Sequence, residues 1–138
     1  MKVLIDTNVI LDVLLNRAPF VELSANIVSS VETREIEGYL CATTVTTLDY
    51  LISKAKNRQQ AKSEIKKLLH LFGISDVNAR VLGLAADSEF TDFEDAVLYY
   101  SGKCTGVDCL VTQNVKDFKH ASLPVYTPEE LWGILLVR

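Results

Sequence analysis

Met1-Lys2-Val3-Leu4-Ile5-Asp6-Thr7-Asn8 opens the chain, and the change of character within it decides the fold. Val3-Leu4-Ile5 is apolar at consecutive positions, which reads as a buried strand. Asp6-Thr7-Asn8 ends that strand and caps a helix in which Val9, Ile10, Val13 and Leu14 recur at helical spacing. The same alternation continues outward. Beyond a break at Asn16-Arg17-Ala18-Pro19, the apolar positions Leu23, Ile27, Val28 and Val31 keep a helical period. Gly38 opens a second strand over residues 39–42, and Thr43-Thr44 is expected to cap a helix reaching about residue 55. Another helix is expected over residues 58–72, and Asp76 is expected to cap one carrying Val81, Leu82 and Ala85. After a polar interruption at 87–91, a helix runs over about 92–104. Cys109-Leu110-Val111-Thr112 is a buried strand, Gln113-Asn114 a polar turn, and Pro124-Val125-Tyr126 a short last strand. Thr127-Pro128-Glu129-Glu130 then combines a cap, an early proline and a glutamate three residues on, a strong helix start.

Apolar strands separated by helices predict an α/β fold: a parallel sheet with helices on both faces. The chain has 138 residues with no repeat, linker or change of composition, so one domain over residues 1–138 is expected. Its 49% hydrophobic content excludes a disordered chain. No apolar run approaches the roughly 18 residues of a membrane span, and Asp6 comes too early for a signal peptide. Cys41, Cys104 and Cys109 form no CxxC, and only His70 and His120 accompany them, so reduced thiols in a cytoplasmic protein are expected rather than disulfides or zinc. The net charge of −4 argues against a general nucleic-acid coat. An acidic chain can still act on nucleic acid where a cation neutralises its acids locally.

In open parallel sheets, ligands gather beyond the carboxyl ends of the strands. Three strands end in polar residues there: Asp6 and Asn8 after the first, Thr43 and Thr44 after the second, and Thr112, Asn114 and Asp117 after the late one. Asp92, Glu94 and Asp95 occupy the first turn of the helix before that late strand. No serine or histidine nucleophile and no glycine-rich phosphate loop stands with them. The remaining groups are hard oxygen ligands. Clustered carboxylates raise one another's pKa, and a divalent cation removes that penalty. Mg²⁺ or Mn²⁺ takes one or two carboxylates, keeps waters and is completed by phosphate oxygens, which suits metal-assisted hydrolysis of a nucleic-acid backbone.

Each acid also has a structural reading. Asp6 serves equally as a helix cap, Asp92 as a cap, Asp95 as a first-turn acid complementing the helix dipole, and Asn114 and Asp117 as turn residues. Asp12 points to another helical face and is expected in solvent. Lys54, Lys56, Arg58, Lys62, Lys66 and Lys67 form the densest basic stretch, read as the solvated face of a helix before a guide for RNA. Tyr99-Tyr100 is expected in the core with one wetted hydroxyl, and Leu131, Trp132, Leu135 and Leu136 as cover for the sheet.

Three stretches in this order and spacing resemble the PIN-domain nucleases, which include the VapC-type toxins of toxin–antitoxin pairs. They are Asp6-Thr7-Asn8-Val9-Ile10-Leu11-Asp12, Asp92-Phe93-Glu94-Asp95-Ala96, and Leu110-Val111-Thr112-Gln113-Asn114-Val115-Lys116-Asp117-Phe118. The end, Leu123-Pro124-Val125-Tyr126-Thr127-Pro128-Glu129-Glu130, is similar too. The resemblance implies a three-layer α/β/α sandwich and a ribonuclease dependent on Mg²⁺ or Mn²⁺. It implies Asp6, Asp95 and Asp117 as metal ligands, with Asn114 completing the catalytic set and Asn8, Asp49, Asp92 and Thr112 in supporting places. It also implies RNA as substrate, a homodimer, and an antitoxin protein covering the site. One departure stands out: the family carries an acid in the helix after the second strand, and Thr47 stands there. Asp49 lies about 200° further round the helix. The alternative is a PIN fold that binds RNA or a protein without cutting. A phospho-acceptor domain fits less well, because Asp6-Thr7-Asn8 and Asn114-Val115-Lys116 lack its paired acid and its lysine.

Overall fold

The computed structural model describes residues 1–138. Five strands, β1 (Lys2–Ile5), β2 (Glu37–Cys41), β3 (Gly73–Ser75), β4 (Cys109–Val111) and β5 (Val125–Tyr126), form one sheet in the order β3-β2-β1-β4-β5. Every neighbouring pair is parallel. Seven helices connect or follow them: α1 (Thr7–Leu14), α2 (Val21–Glu32), α3 (Ala42–Ala55), α4 (Arg58–Leu71), α5 (Ala79–Ala86), α6 (Phe93–Thr105) and α7 (Pro128–Leu136). No helix is long and apolar enough to cross a membrane.

The alternation of side chains along β1 divides the core. Val3 and Ile5 face one side and pack with α1, α2, α3, α4 and α7 through residues such as Ile10, Ile27, Leu48, Leu68 and Leu131. Leu4 faces the other side and packs with Leu98 and Tyr99 of α6 and with Phe118. Val81 and Ala85 of α5 close that side against Ala96 and Val97. Both faces are covered, which is why the strands read as continuous apolar runs, and the molecule is a three-layer α/β/α sandwich around a parallel sheet.

Strand order reverses between β1 and β4, the topological switch point at which such sheets leave a crevice. Asp6 follows β1, and Thr112 follows β4. The N-terminus of α6 reaches the same edge because α6 lies close on β1: a Cβ at Gly102 would stand 2.6 Å from Leu4 Cδ2, so any larger residue must displace the buried Leu4 side chain. Gly106, at φ 87, then ends α6 in the left-handed conformation.

Several expectations need correction. β3 is an addition to the expected strands: three residues directly after α4 make no periodic signal, yet Tyr39, Leu40 and Cys41 of β2 pair with them. Asn78, not Asp76, caps α5, its Oδ1 accepting from Val81 N at 3.0 Å, while the Asp76 carbonyl accepts from Ser101 Oγ. α3 begins at Ala42 with Cys41 at its cap, so Thr43 and Thr44 lie inside the helix. Leu136 is exposed, whereas Leu131 and Leu135 are buried and Trp132 packs on the main core. Tyr99 is buried with its hydroxyl bonded to Ser122, and Tyr100 is half-buried.

Candidate active site

A cleft of about 240 Å³ opens at the switch point. Asp6, Asp92, Glu94, Asp95 and Asp117 line it together with Asn114, so residues far apart in the chain share one space. Asp49 is exposed and takes no part in the lining.

Asp6 is held from three directions. Its Oδ1 accepts from Thr7 N at 2.7 Å, which makes it the cap of α1. Its Oδ2 accepts from Thr112 Oγ1 at 2.8 Å, and from Asn8 Nδ2 at a longer 3.4 Å. Burial nevertheless pushes the Asp6 carboxyl above its ordinary range, aided by the charges of Glu94 and Asp117 and opposed by the Thr112 and Thr7 hydrogen bonds. Capping and site membership therefore coincide in one residue.

Thr112 is the hub of this arrangement. It donates to Asp6, and its Oγ1 accepts from the backbone N–H of Asn114 at 3.0 Å. That contact starts the 3-10 turn Val115–Phe118, which carries Asp117. Asn8 accepts from Gln113 N through its Oδ1, tying α1 to the same loop. Thr7 Oγ1 donates to Thr44 Oγ1 at 3.0 Å and ties α1 to the start of α3.

Asp92 caps α6 by accepting from Asp95 N at 3.0 Å, so its structural reading holds while it also lines the cleft. Asp95 has its pKa raised to about 7, chiefly by burial and then by the charges of Asp92, Asp6, Asp117 and Glu94. No basic side chain lines this cleft. The chain's two ion pairs, Arg17–Asp12 and Lys67–Glu64, both leave the cleft acids uncompensated.

Glu94, read in the sequence as a first-turn acid beside Asp92 and Asp95 but given no place in the ligand or supporting set, also lines the cleft. Thr47 Oγ1 donates to Glu94 Oε1 at 3.5 Å, so the departure on α3 faces a carboxylate from α6. The signal lay in the run Asp92-Phe93-Glu94-Asp95, where three acids fall within one turn. Asp12 needs a second correction. It is buried rather than solvated, its Oδ1 accepting from Arg17 Nε and Nη2 at 3.0 Å and its Oδ2 from Gln113 Nε2 at 2.9 Å.

The cleft donors are carboxylates, hydroxyls and two amides, the oxygen set that Mg²⁺ and Mn²⁺ prefer. Their uncompensated charge is a further mark of fit. As the chain stands, however, no three His, Cys, Asp or Glu side chains are gathered closely enough to hold a metal ion. The fit is one of chemistry and charge.

Comparison with known proteins agrees with this architecture. Ribonuclease VapC1 of Aquifex aeolicus is 28% identical over 142 aligned positions, covering 97% of each chain. The structure of FitAcB from Neisseria gonorrhoeae superposes with a TM-score of 0.71 at 22% identity, over 92% of this chain and 98% of that one. A toxin–antitoxin complex from Klebsiella pneumoniae gives 0.68 at 19% identity, over 91% and 97%. Residues 2–116, which include β1, α6 and β4 with Asp6, Asp92 and Asp95 and end one residue before Asp117, match the PIN domain family, and the chain belongs to it.

Proposed function

We propose that this chain is an endoribonuclease that hydrolyses RNA phosphodiester bonds with Mg²⁺ or Mn²⁺. The observation that carries the reading is the group of uncompensated carboxylates at the switch point, with Asp6 and Asp95 both shifted toward protonation. Asp6, Asp95 and Asp117 would hold the cation. When bound, it supplies positive charge against the phosphate and lowers the pKa of water for in-line attack. The protein's part is positional. Thr112 and the Thr7 amide fix the Asp6 carboxylate, and the capping bond from Asp92 fixes the first turn that carries Asp95. Asp117 and the Asn114 amide line the same cleft, where they can orient a water or a substrate oxygen. Asp95, its pKa raised to about 7, would have to give up its remaining proton to serve as a ligand near neutral pH.

The relative named as a ribonuclease and the toxin–antitoxin complex among the similar structures support a toxin role. In this reading an antitoxin protein covers the cleft, and the chain works as a homodimer in the cytoplasm. A second reading, a PIN fold that binds RNA or a protein without cleavage, has its own support. No three acids stand ready for a metal, and Thr47 and Asn114 are uncharged. RNA cleavage assays with Mg²⁺, with Mn²⁺ and with EDTA separate the two. Cleavage that needs the cation and is lost in Asp95→Asn is the expected outcome. RNA bound but left intact under all three conditions selects the second reading.

A further inference from the structure

A second cavity, of about 450 Å³, adjoins the acidic cleft. Asp92, Asp95 and Asp117 belong to the walls of both. The rest of its lining is Thr91, Lys116, Lys119 and His120, with no hydrophobic residue. The two lysines sit in and just after the 3-10 turn, which is anchored by the buried Phe118. The His120 ring lies edge-on to Phe90 at 6.1 Å between centroids. Although three carboxylates share the cavity, neither lysine makes an ion pair there, since the chain's two pairs involve Arg17 and Lys67.

An acidic cleft that takes one phosphodiester creates a difficulty for the next. The neighbouring phosphate of the same strand meets Asp92 and Asp117 and is repelled unless a cation faces it. The unpaired Lys116 and Lys119 supply that charge on an anchored turn, and His120 supplies a further polar donor or acceptor. We propose that Lys116, Lys119 and His120 seat the phosphodiester adjacent to the one held in the acidic cleft, so that the RNA strand runs from the N-terminus of α6 across the turn after β4. This rests on the ribonuclease reading of the cleft.

The test measures binding of a fluorescent single-stranded RNA to the full chain carrying Asp95→Asn, which leaves the RNA uncut, over a series of salt concentrations. Adding Lys116→Ala and Lys119→Ala should weaken binding about tenfold or more at low salt. It should also reduce the slope of log K against log[salt] by about 0.7, one single-strand phosphate contact. His120→Ala should give a smaller loss. Lys54→Ala with Lys56→Ala removes the same charge from α3 and the α3–α4 turn, and should change affinity far less. Unchanged affinity and slope in the Lys116/Lys119 variant overturns the seat alone. An equal loss in the Lys54/Lys56 variant also overturns it, in favour of a diffuse field. Tighter binding of poly-glutamate than of the RNA at equal charge concentration, lost in the Lys116/Lys119 variant, overturns it in favour of an acidic protein partner. Absence of RNA binding by the Asp95→Asn chain itself overturns the ribonuclease reading together with the seat.

Discussion

Asp6 and Asp12 lie six residues apart on either side of the first turns of α1, and both are almost withdrawn from solvent, at 8% and 3% exposure. Asp12 is answered. The Arg17 guanidinium meets one of its oxygens and the Gln113 amide the other. Asp6 receives only hydroxyl and amide donors and looks toward Glu94, Asp95 and Asp117. A buried carboxylate with its own cation completes its electrostatics within the fold. One that faces other carboxylates leaves a deficit that something from outside must fill. The contrast separates a structural aspartate from a functional one, and substitutions should pull the two regions in opposite directions.

The largest expected effect is on catalysis. Asp6→Asn should lower Mg²⁺-dependent RNA cleavage by about 10²-fold or more, while the urea midpoint stays the same or rises because a desolvated charge is removed. Asp12→Asn should do the reverse. It leaves Arg17 without its carboxylate and sets an amide N–H₂ against Gln113, costing about 2 kcal/mol of stability in urea melts. Cleavage per folded molecule should fall much less. If both variants lose activity equally at equal stability, the division between the two regions fails.

A third expectation concerns pH. The Asp95 carboxyl titrates near 7 in the folded chain and at 3.8 in its ordinary state, so between those values the folded chain holds a proton that the unfolded chain has released. Stability in EDTA should therefore decline as pH rises from about 4 to about 7. Urea melts across that range should show this component flattened by Asp95→Asn and retained in Asp12→Asn. The smallest effect belongs to Asp49→Asn. Its side chain is exposed outside the cleft, and cleavage rates should stay within about twofold of the parent, as for other surface substitutions.

Much of this arrangement was legible in the sequence, for reasons tied to particular residues. Val3-Leu4-Ile5 reads as a buried strand because helices cover both faces of β1, and Cys109-Leu110-Val111 reads the same way. Those two strands flank the switch point, so the polar residues after them, Asp6 and Thr112, mark the site without further information. The missing parts were non-local or short. β3 has three residues and no room for a period. The burial of Asp12 depends on Gln113, 101 residues away, and on Arg17 folding back past the end of α1. A helical wheel places Asp12 on a face but says nothing of the loop that covers it. Glu94 facing Thr47 likewise joins α6 to α3 across 47 residues.

Calorimetric titration with Mn²⁺ at pH 7, in buffers of differing ionisation enthalpy, goes to the heart of the matter. The unmodified chain and Asp12→Asn should bind one ion with release of a fraction of a proton, and Asp95→Asn should show neither heat nor proton release. A silent titration of the unmodified chain, or the same heat and protons from Asp95→Asn, would contradict the assignment of the cleft acids to a divalent cation.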